Sequence, residues 1–361
     1  MNILITTYQG HNEGSTQSIT FLCKGLSGRG HKVYLGCRKE SFIYELMKDT
    51  DVTIIPMTFK GKFDRRNMRQ IRDAVKRYDI DLINAQASLD RYSTIFAKWF
   101  YKLDVKLVHT RRQKPESDGL FIQNWLYSKK TDKIVAVSQG VKDGLVKLGL
   151  PEDHITVIHN GTPRSKYDSI DNLLTEELRI KYNIKSGDNV IGCVSRRKKQ
   201  IQILQALKFV PFPVKMIFIG ITEPTDYEDI AKEYTAAHQV WFLGKIPPNE
   251  VLAHYPLFQL NILASTMEGL SQSLLEAMFM RVPVIATAAS GNLDLVEHGR
   301  NGLLFEDGDL DQLARNIIDA FEQPTLRDLL VENGFKTASE GYSIEKTVSN
   351  YEHFFQQLIS D

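Results

Sequence analysis

Cysteine is scarce: Cys23, Cys37 and Cys193 are the only three, odd in number and far apart. They form neither a disulfide framework nor a zinc-ligand spacing, so a reducing compartment is expected. No apolar run approaches the roughly 18 residues that cross a bilayer. The opening run, residues 1–7, lacks the basic start and long apolar stretch of a signal peptide. The expected location is the cytoplasm, with membrane contact at most peripheral on the inner face. Net charge is nearly absent as well, at +1 for 361 residues. With 42% hydrophobic and 25% charged residues, the chain is neither collagenous, low-complexity nor disordered. Its length suits two globular domains.

The small net charge hides a division. Residues 1–165 hold 27 Lys and Arg against 17 Asp and Glu, which leaves 18 against 27 for the rest. The densest basic stretches run from Lys60 to Arg77, through Arg111-Arg112-Gln-Lys114, and across Lys129-Lys130, with Trp99-Phe100-Tyr101 between Lys98 and Lys102. Such asymmetry fits solvated helix faces and attraction between oppositely charged domains. It fits equally an anionic membrane or acceptor docked on the first half. Nucleic acid is not expected, because no helix-turn-helix, zinc-finger or aromatic RNA-binding signature accompanies the charge.

Short β-branched runs alternate with helical patterns. Strands are predicted at 3–7, 32–36, 52–56, 82–85, 106–110, 134–138 and 155–159, with helices at 16–29, 67–78, 91–101, 121–130 and 139–148 between them. The pattern breaks at Asn160-Gly161-Thr162-Pro163, and the polar stretch to Asn172 reads as a linker. Alternation then restarts, with strands at 190–194, 214–220, 240–243, 260–264, 282–287 and 302–305 and helices from 199 to 322. The expected fold class is α/β: two Rossmann-like, doubly wound parallel-sheet domains, 1–165 and 166–342, facing a central cleft. A last apolar stripe at helical spacing, 343–361, is expected to return to the first domain.

Three strand-end loops carry the candidate chemistry. Ser265-Thr-Met-Glu268-Gly269-Leu270-Ser271 leads from a strand into a helix that contains Glu276. A glycine turn ahead of a helix offers amide donors and a positive dipole end to a phosphate. Glu276 fits a capping box with Ser273 equally well. A glycosidase pair fits poorly, since eight residues along a helix span ~12 Å and a retaining pair stands ~5 Å apart. Ser195-Arg196-Arg197-Lys198-Lys199 follows the first strand of the second domain, in the acidic half, where four cations would neutralise a diphosphate. Gly10-His-Asn-Glu13-Gly14-Ser15-Thr16 follows the first strand of all, where glycine admits close backbone approach. His109 ends a strand and is a further candidate for a ligand-facing group.

Glu268-Gly-Leu-Ser-Gln-Ser-Leu-Leu-Glu276 resembles the E-x7-E motif of family 4 of the retaining glycosyltransferases. Upstream, Gly28-Arg-Gly30-His31, Val135-Ala-Val-Ser138 and Val157-Ile-His-Asn160-Gly161 follow the family pattern in order. So do Val282-Pro-Val, Ser290-Gly291 and Gly299-Arg-Asn-Gly302 downstream. The resemblance covers most of the chain. It implies the GT-B fold and transfer of a sugar, with retention, from a nucleotide-sugar (a UDP-sugar) to an acceptor hydroxyl, without metal or other cofactor. The acceptor would be a glycan or a lipid-linked sugar of bacterial-type surface polysaccharide or lipopolysaccharide assembly.

Carried over by position, the resemblance makes Arg196 and Lys199 the diphosphate-binding pair. Glu268 would hold the donor sugar and Glu276 the ribose, with Gly269, Leu270, Ser271, Gly14 and Ser15 near the phosphates and Lys245 near the base. The loop from Arg196 to Lys199 is two residues shorter than the family's, and Arg112 stands where the family has a histidine. An arginine there implies an anionic acceptor rather than proton transfer. Rival functions are a nucleotide-sugar epimerase or hydrolase, which would need no acceptor, and a non-catalytic nucleotide-sugar-binding protein.

Overall fold

The computed structural model describes residues 1–10, 14–113, 121–168, 170–222, 225–234, 237–289 and 291–360; Glu13, Lys114 and Ser290 lie outside them. The chain divides into two compact units, Met1–Pro163 with Tyr342–Asp361, and Arg164–Gly341. Both are parallel sheets with helices on their faces, the Rossmann-like build of the GT-B class.

In the first unit the strands are β1 (Asn2–Thr6), β2 (Lys32–Cys37), β3 (Thr53–Pro56), β4 (Leu82–Ala85), β5 (Lys106–Arg111), β6 (Lys133–Ala136) and β7 (Ile155–Val157). Their order in the sheet is β3-β2-β1-β4-β5-β6-β7. Between them come α1 (Gly14–Gly28), α2 (Phe42–Met47), α3 (Arg65–Tyr78), α4 (Ser88–Tyr101), α5 (Phe121–Lys129) and α6 (Gln139–Lys147). β1 and β4 bury nearly every side chain, as parallel strands covered on both faces must. Side chains alternate across the sheet. Leu107 joins the core under α3 to α6, whereas Val108 joins the opposite core under α1.

The second unit holds α7 (Ser165–Asp168), α8 (Asn172–Lys181), β8 (Val190–Val194), α9 (Ile201–Leu207), β9 (Lys215–Ile219), α10 (Thr225–Tyr234), β10 (Gln239–Phe242) and α11 (Pro248–His254). It continues with β11 (Leu260–Leu263), α12 (Gln272–Phe279), β12 (Val284–Thr287), α13 (Asn292–Leu295), β13 (Leu303–Phe305), α14 (Leu310–Glu322) and α15 (Pro324–Lys336). Here the order is β10-β9-β8-β11-β12-β13. The stretch ending at Asn172, expected to be linker throughout, opens α8 at that residue. Asp171 caps the helix by accepting from the Leu174 amide at 3.0 Å.

The last helix, α16 (Ile344–Ser360), belongs to the first unit, where Val348, Tyr351, Phe355 and Leu358 enter the α1-side core. Gly25 permits the approach, because a Cβ there would overlap the Val348 side chain. At the edge of this packing Glu352 accepts from Arg29 and pairs with His31, both at 2.7 Å.

Candidate active site

Each sheet reverses its strand order once, beside β8 in the second unit and beside β1 in the first. In open α/β sheets such a reversal leaves a crevice at the carboxyl ends of the two diverging strands. In the second unit these are β8 and β11. The basic loop Ser195–Lys199 leaves the first, and the loop 264–271 leaves the second and enters α12. The Lys199 amide donates to Ala264 O at 3.3 Å and ties the two together.

Buried side chains fix the basic loop. Gln200, which is inaccessible to solvent, donates to Ser195 Oγ at 2.6 Å and to the Arg196 carbonyl at 2.7 Å, and accepts from the Lys198 amide at 2.6 Å. Tyr227 Oη donates to the Lys198 carbonyl at 3.1 Å. The cations then take different directions. Lys198 pairs with Glu268, both side chains being mostly buried. Arg197 pairs with Asp226, and Lys199 pairs with Asp307 at the surface. Arg196 is exposed and has no carboxylate partner among the described residues. The lysine that meets Glu268 is thus Lys198. Lys199, expected in the diphosphate pair, is engaged with Asp307.

The acidic loop is held from behind. The Ser265 amide donates to Thr287 Oγ1 at 3.1 Å, and Asn292 Nδ2 donates to the carbonyls of Ser265 and Thr287 at 3.1 and 3.0 Å. The Gly291 amide donates to Glu268 O at 3.2 Å. A Cβ at Gly291 would overlap the Gly269 carbonyl, so only glycine lets these segments lie so close. Ser271 caps α12 by accepting from the Leu274 amide at 3.4 Å. The first amides of α12 have no intrahelical partner, and the helix dipole makes that end favourable for an anion.

Glu276 does not cap the helix, which removes the capping-box alternative. Its two oxygens accept from Lys166 Nζ at 2.5 Å and Tyr255 Oη at 3.0 Å. Burial, with Glu276 beside it, drives the Tyr255 phenol well above its usual pKa, so it stays a donor. Gly269, Leu270 and Ser271 lie on this loop, with Leu270 and Ser271 nearly sealed. Lys245 is exposed beyond β10, after Gly244, whose φ is +60°. The Gly220 amide, at the end of β9, donates to the Gly244 carbonyl at 2.6 Å.

In the first unit Gly14 and Ser15 open α1, with Gly14 exposed. Arg112, just past β5, donates from Nη2 to Gln86 Oε1 at 2.7 Å, while Nε and Nη1 are buried and have no partner among the described residues. His109 corrects the expectation of a ligand-facing histidine. It lies on the odd-numbered face of β5, wholly buried, edge-on to Tyr127 with ring centroids 5.4 Å apart. Burial and then the charges of Arg91 and Arg111 push its pKa well below the usual value, which keeps the ring neutral.

Comparison with known families places the chain. The model of glycosyl transferases group 1 matches residues 175–337, and that of glycosyltransferase family 4 matches residues 13–166. The chain belongs to the family 4, group 1 glycosyltransferases. Among its relatives is an uncharacterized glycosyltransferase of Methanocaldococcus jannaschii, 27% identical over 286 residues, 74% of this chain and 71% of that protein. Another is the putative glycosyltransferase EpsD of Bacillus subtilis, 24% identical over 318 residues, 81% of this chain and 82% of that one. The fold is also that of Anabaena HepE, solved in complex with UDP and glucose, with a TM-score of 0.82 at 20% identity over 99% of this chain and 100% of that one. Among the described residues of this glycosyltransferase, no group of His, Cys, Asp and Glu is arranged to hold a metal ion.

Gln200, Tyr227, Thr287, Asn292, Lys166 and Tyr255 are absent from the sequence-derived site. Of these only Asn292 carried a local signal, as the neighbour of the Ser290-Gly291 pair. Gly291→Ala is expected to displace the Glu268–Gly269 turn and lower transferase kcat/KM by about a hundredfold with circular dichroism unchanged. Unchanged turnover in that variant would show that the turn is not held by this packing.

Proposed function

We propose that the second unit binds a nucleotide-diphosphate sugar, with UDP as the nucleotide, and that the sugar is transferred with retention and without a metal. One observation carries the reading: Lys198 and Glu268 meet at the strand-order reversal, directly ahead of the amide-rich start of α12. In transfer, the bond from the anomeric carbon to the diphosphate oxygen breaks and a bond to the acceptor oxygen forms. The acceptor proton is released, and negative charge grows on the diphosphate. Lys198, Arg196 and the first amides of α12 stabilise that charge, a preorganised field of the kind that contributes most to many enzymatic rates. Glu268 holds the donor sugar. Glu276, oriented by Lys166 and Tyr255, faces the ribose hydroxyls. The bound UDP and glucose in HepE support this donor class.

The acceptor is read as an anionic or lipid-linked glycan of surface polysaccharide assembly, bound by the first unit with Arg112 among its contacts. Similarity to the Rhizobium meliloti lipopolysaccharide core biosynthesis glycosyltransferase LpsE, 26% identical over 230 residues, supports that class. No helix among the described residues is long and apolar enough to cross a membrane. Among the described residues, the exposed large apolar side chains of the first unit, Phe63, Trp99, Phe100, Ile122 and Trp125, nevertheless all lie on α4, α5 and the turn before α3. Lys130 sits 4.6 Å over Trp99 and 5.2 Å from Trp125, and α3 bears six Lys and Arg. Aromatic rings flanked by cations are the chemistry of an anionic bilayer interface.

Two measurements test these readings. In a thermal-shift and turnover series, UDP should raise Tm of the wild type. Glu268→Gln should keep or tighten UDP binding, since it leaves Lys198 uncompensated, yet lower kcat by about a hundredfold. No stabilisation by any nucleotide would overturn the donor reading. For the membrane face, vesicles rich in phosphatidylglycerol should retain the protein at low salt and release it at high salt. Equal retention on neutral vesicles would exclude an electrostatic contribution.

A further inference from the structure

The first unit carries a second concentration of positive charge, distinct from Arg112 and on the opposite face of β5. Arg111, the last residue of β5, and Arg91, in the first turn of α4, both stand over the ring of Tyr127, at 5.8 and 5.9 Å from its centroid. Tyr127 in turn lies 5.9 Å from Tyr92, and Lys62 covers the Tyr92 ring at 4.8 Å. Three cations therefore converge on two phenols. Beneath them His109 is sealed, with both ring nitrogens lacking a partner among the described residues, and the buried Nε of Arg91 lacks one too.

No carboxylate forms a direct ion pair with Lys62, Arg91 or Arg111 among the described residues. The charges acting on Arg111 are Arg91 and the two phenols, and those acting on His109 are Arg91, Arg111 and His154. Asp90, next to Arg91 in sequence, feels the Arg91 charge but spends its oxygens on backbone amides. Its carboxylate accepts from the amides of Gln86 and Ala87 at 2.8 and 2.9 Å and from that of Tyr8 at 3.3 Å. Burial and Arg91 lower the Arg111 pKa to about 10, the direction expected of a guanidinium that lacks its counter-ion. Yet Arg91 and Arg111 are only partly covered, and Lys62 is exposed, so a ligand can reach them. They stand at the carboxyl end of the sheet, where ligands of open α/β sheets bind.

We propose that Arg91 and Arg111, packed over the buried ring of Tyr127, with the Tyr92 phenol beside them and Lys62 at the rim, bind a phosphate or diphosphate group of the acceptor. Two guanidiniums and an ammonium match a dianion, whereas a single carboxylate would leave most of this charge unanswered. Guanidinium forks also suit the several oxygens of a phosphate. The proposal rests on the first unit being the acceptor-binding half, and it names the acceptor's anionic group. Arg112, on the other face of β5, is left for a separate contact.

Binding of inorganic pyrophosphate to the full chain, measured by calorimetry with UDP binding followed in the same preparations, tests it. Arg91→Gln and Arg111→Gln should each weaken pyrophosphate by about tenfold or more while UDP binding is retained. Lys62→Gln, at an exposed position that threatens no packing, should weaken it by about threefold. Displacement of bound pyrophosphate by phosphatidylcholine vesicles carrying phosphatidic acid, and not by pure phosphatidylcholine, would assign the site to a lipid-borne phosphate. Displacement by soluble methyl phosphate alone would assign it to a water-soluble one, and either supports the site. Unchanged pyrophosphate affinity in all three variants overturns it. So does binding that appears only after Glu116→Gln and Asp118→Asn, because those carboxylates would then be the counter-ions. Failure of UDP to bind, with the arginine effects intact, would count against the donor reading and leave this site standing.

Discussion

The second unit's chemistry depends on a constraint of chain topology. Parallel strands joined by right-handed crossovers can be wound outward from a central strand in two directions, and where the winding reverses, no helix covers the strand ends. β8 and β11 diverge at that point. Every strong element of the candidate active site follows: the basic loop comes from one strand, the acidic loop from the other, and the Lys198–Glu268 pair joins them. A mostly buried ion pair contributes little net stability, because desolvation offsets most of the Coulombic gain. Its value here is position. It holds a carboxylate and an ammonium together on the two loops that leave β8 and β11.

Behind this pair the fold works to keep backbone segments close. Gly291 lies against the Glu268–Gly269 turn, Asn292 bridges two carbonyls, and Gln200 fills the underside of the basic loop. A site whose loops are held by buried amides does not reorganise when charge develops on a leaving group, which is what electrostatic stabilisation of a transition state requires. The first unit uses a related economy of space. Gly25 lets α16 lie against α1, so the end of the chain completes the core begun by its first strand.

Much of this was legible in the sequence. β-branched runs mark thirteen strands because strands buried on both faces must be nearly all apolar, and the Glu268–Glu276 stretch declares the strand-loop-helix at the site. Short or weakly amphipathic elements were not legible. α2 has six residues, too few to show a period. α8 begins within a polar stretch, and α15 has apolar residues all around. The partition of cations in Arg196–Lys199 was also hidden, because which lysine meets Glu268 depends on the path of the loop. His109 misled for a different reason. β5 runs on to Arg111, so His109 lies inside a strand that is covered on both faces and not at its end. Lys166 and Tyr255 lie 110 and 21 residues from Glu276, beyond any local pattern.

The central claim is that a diphosphate lodges between the basic loop and the start of α12. Hydrogen exchange with and without UDP reads that directly, amide by amide. The account predicts slowed exchange confined to the amides of residues 195–199 and 268–275. Slowed exchange elsewhere, with both segments unaffected, would contradict it.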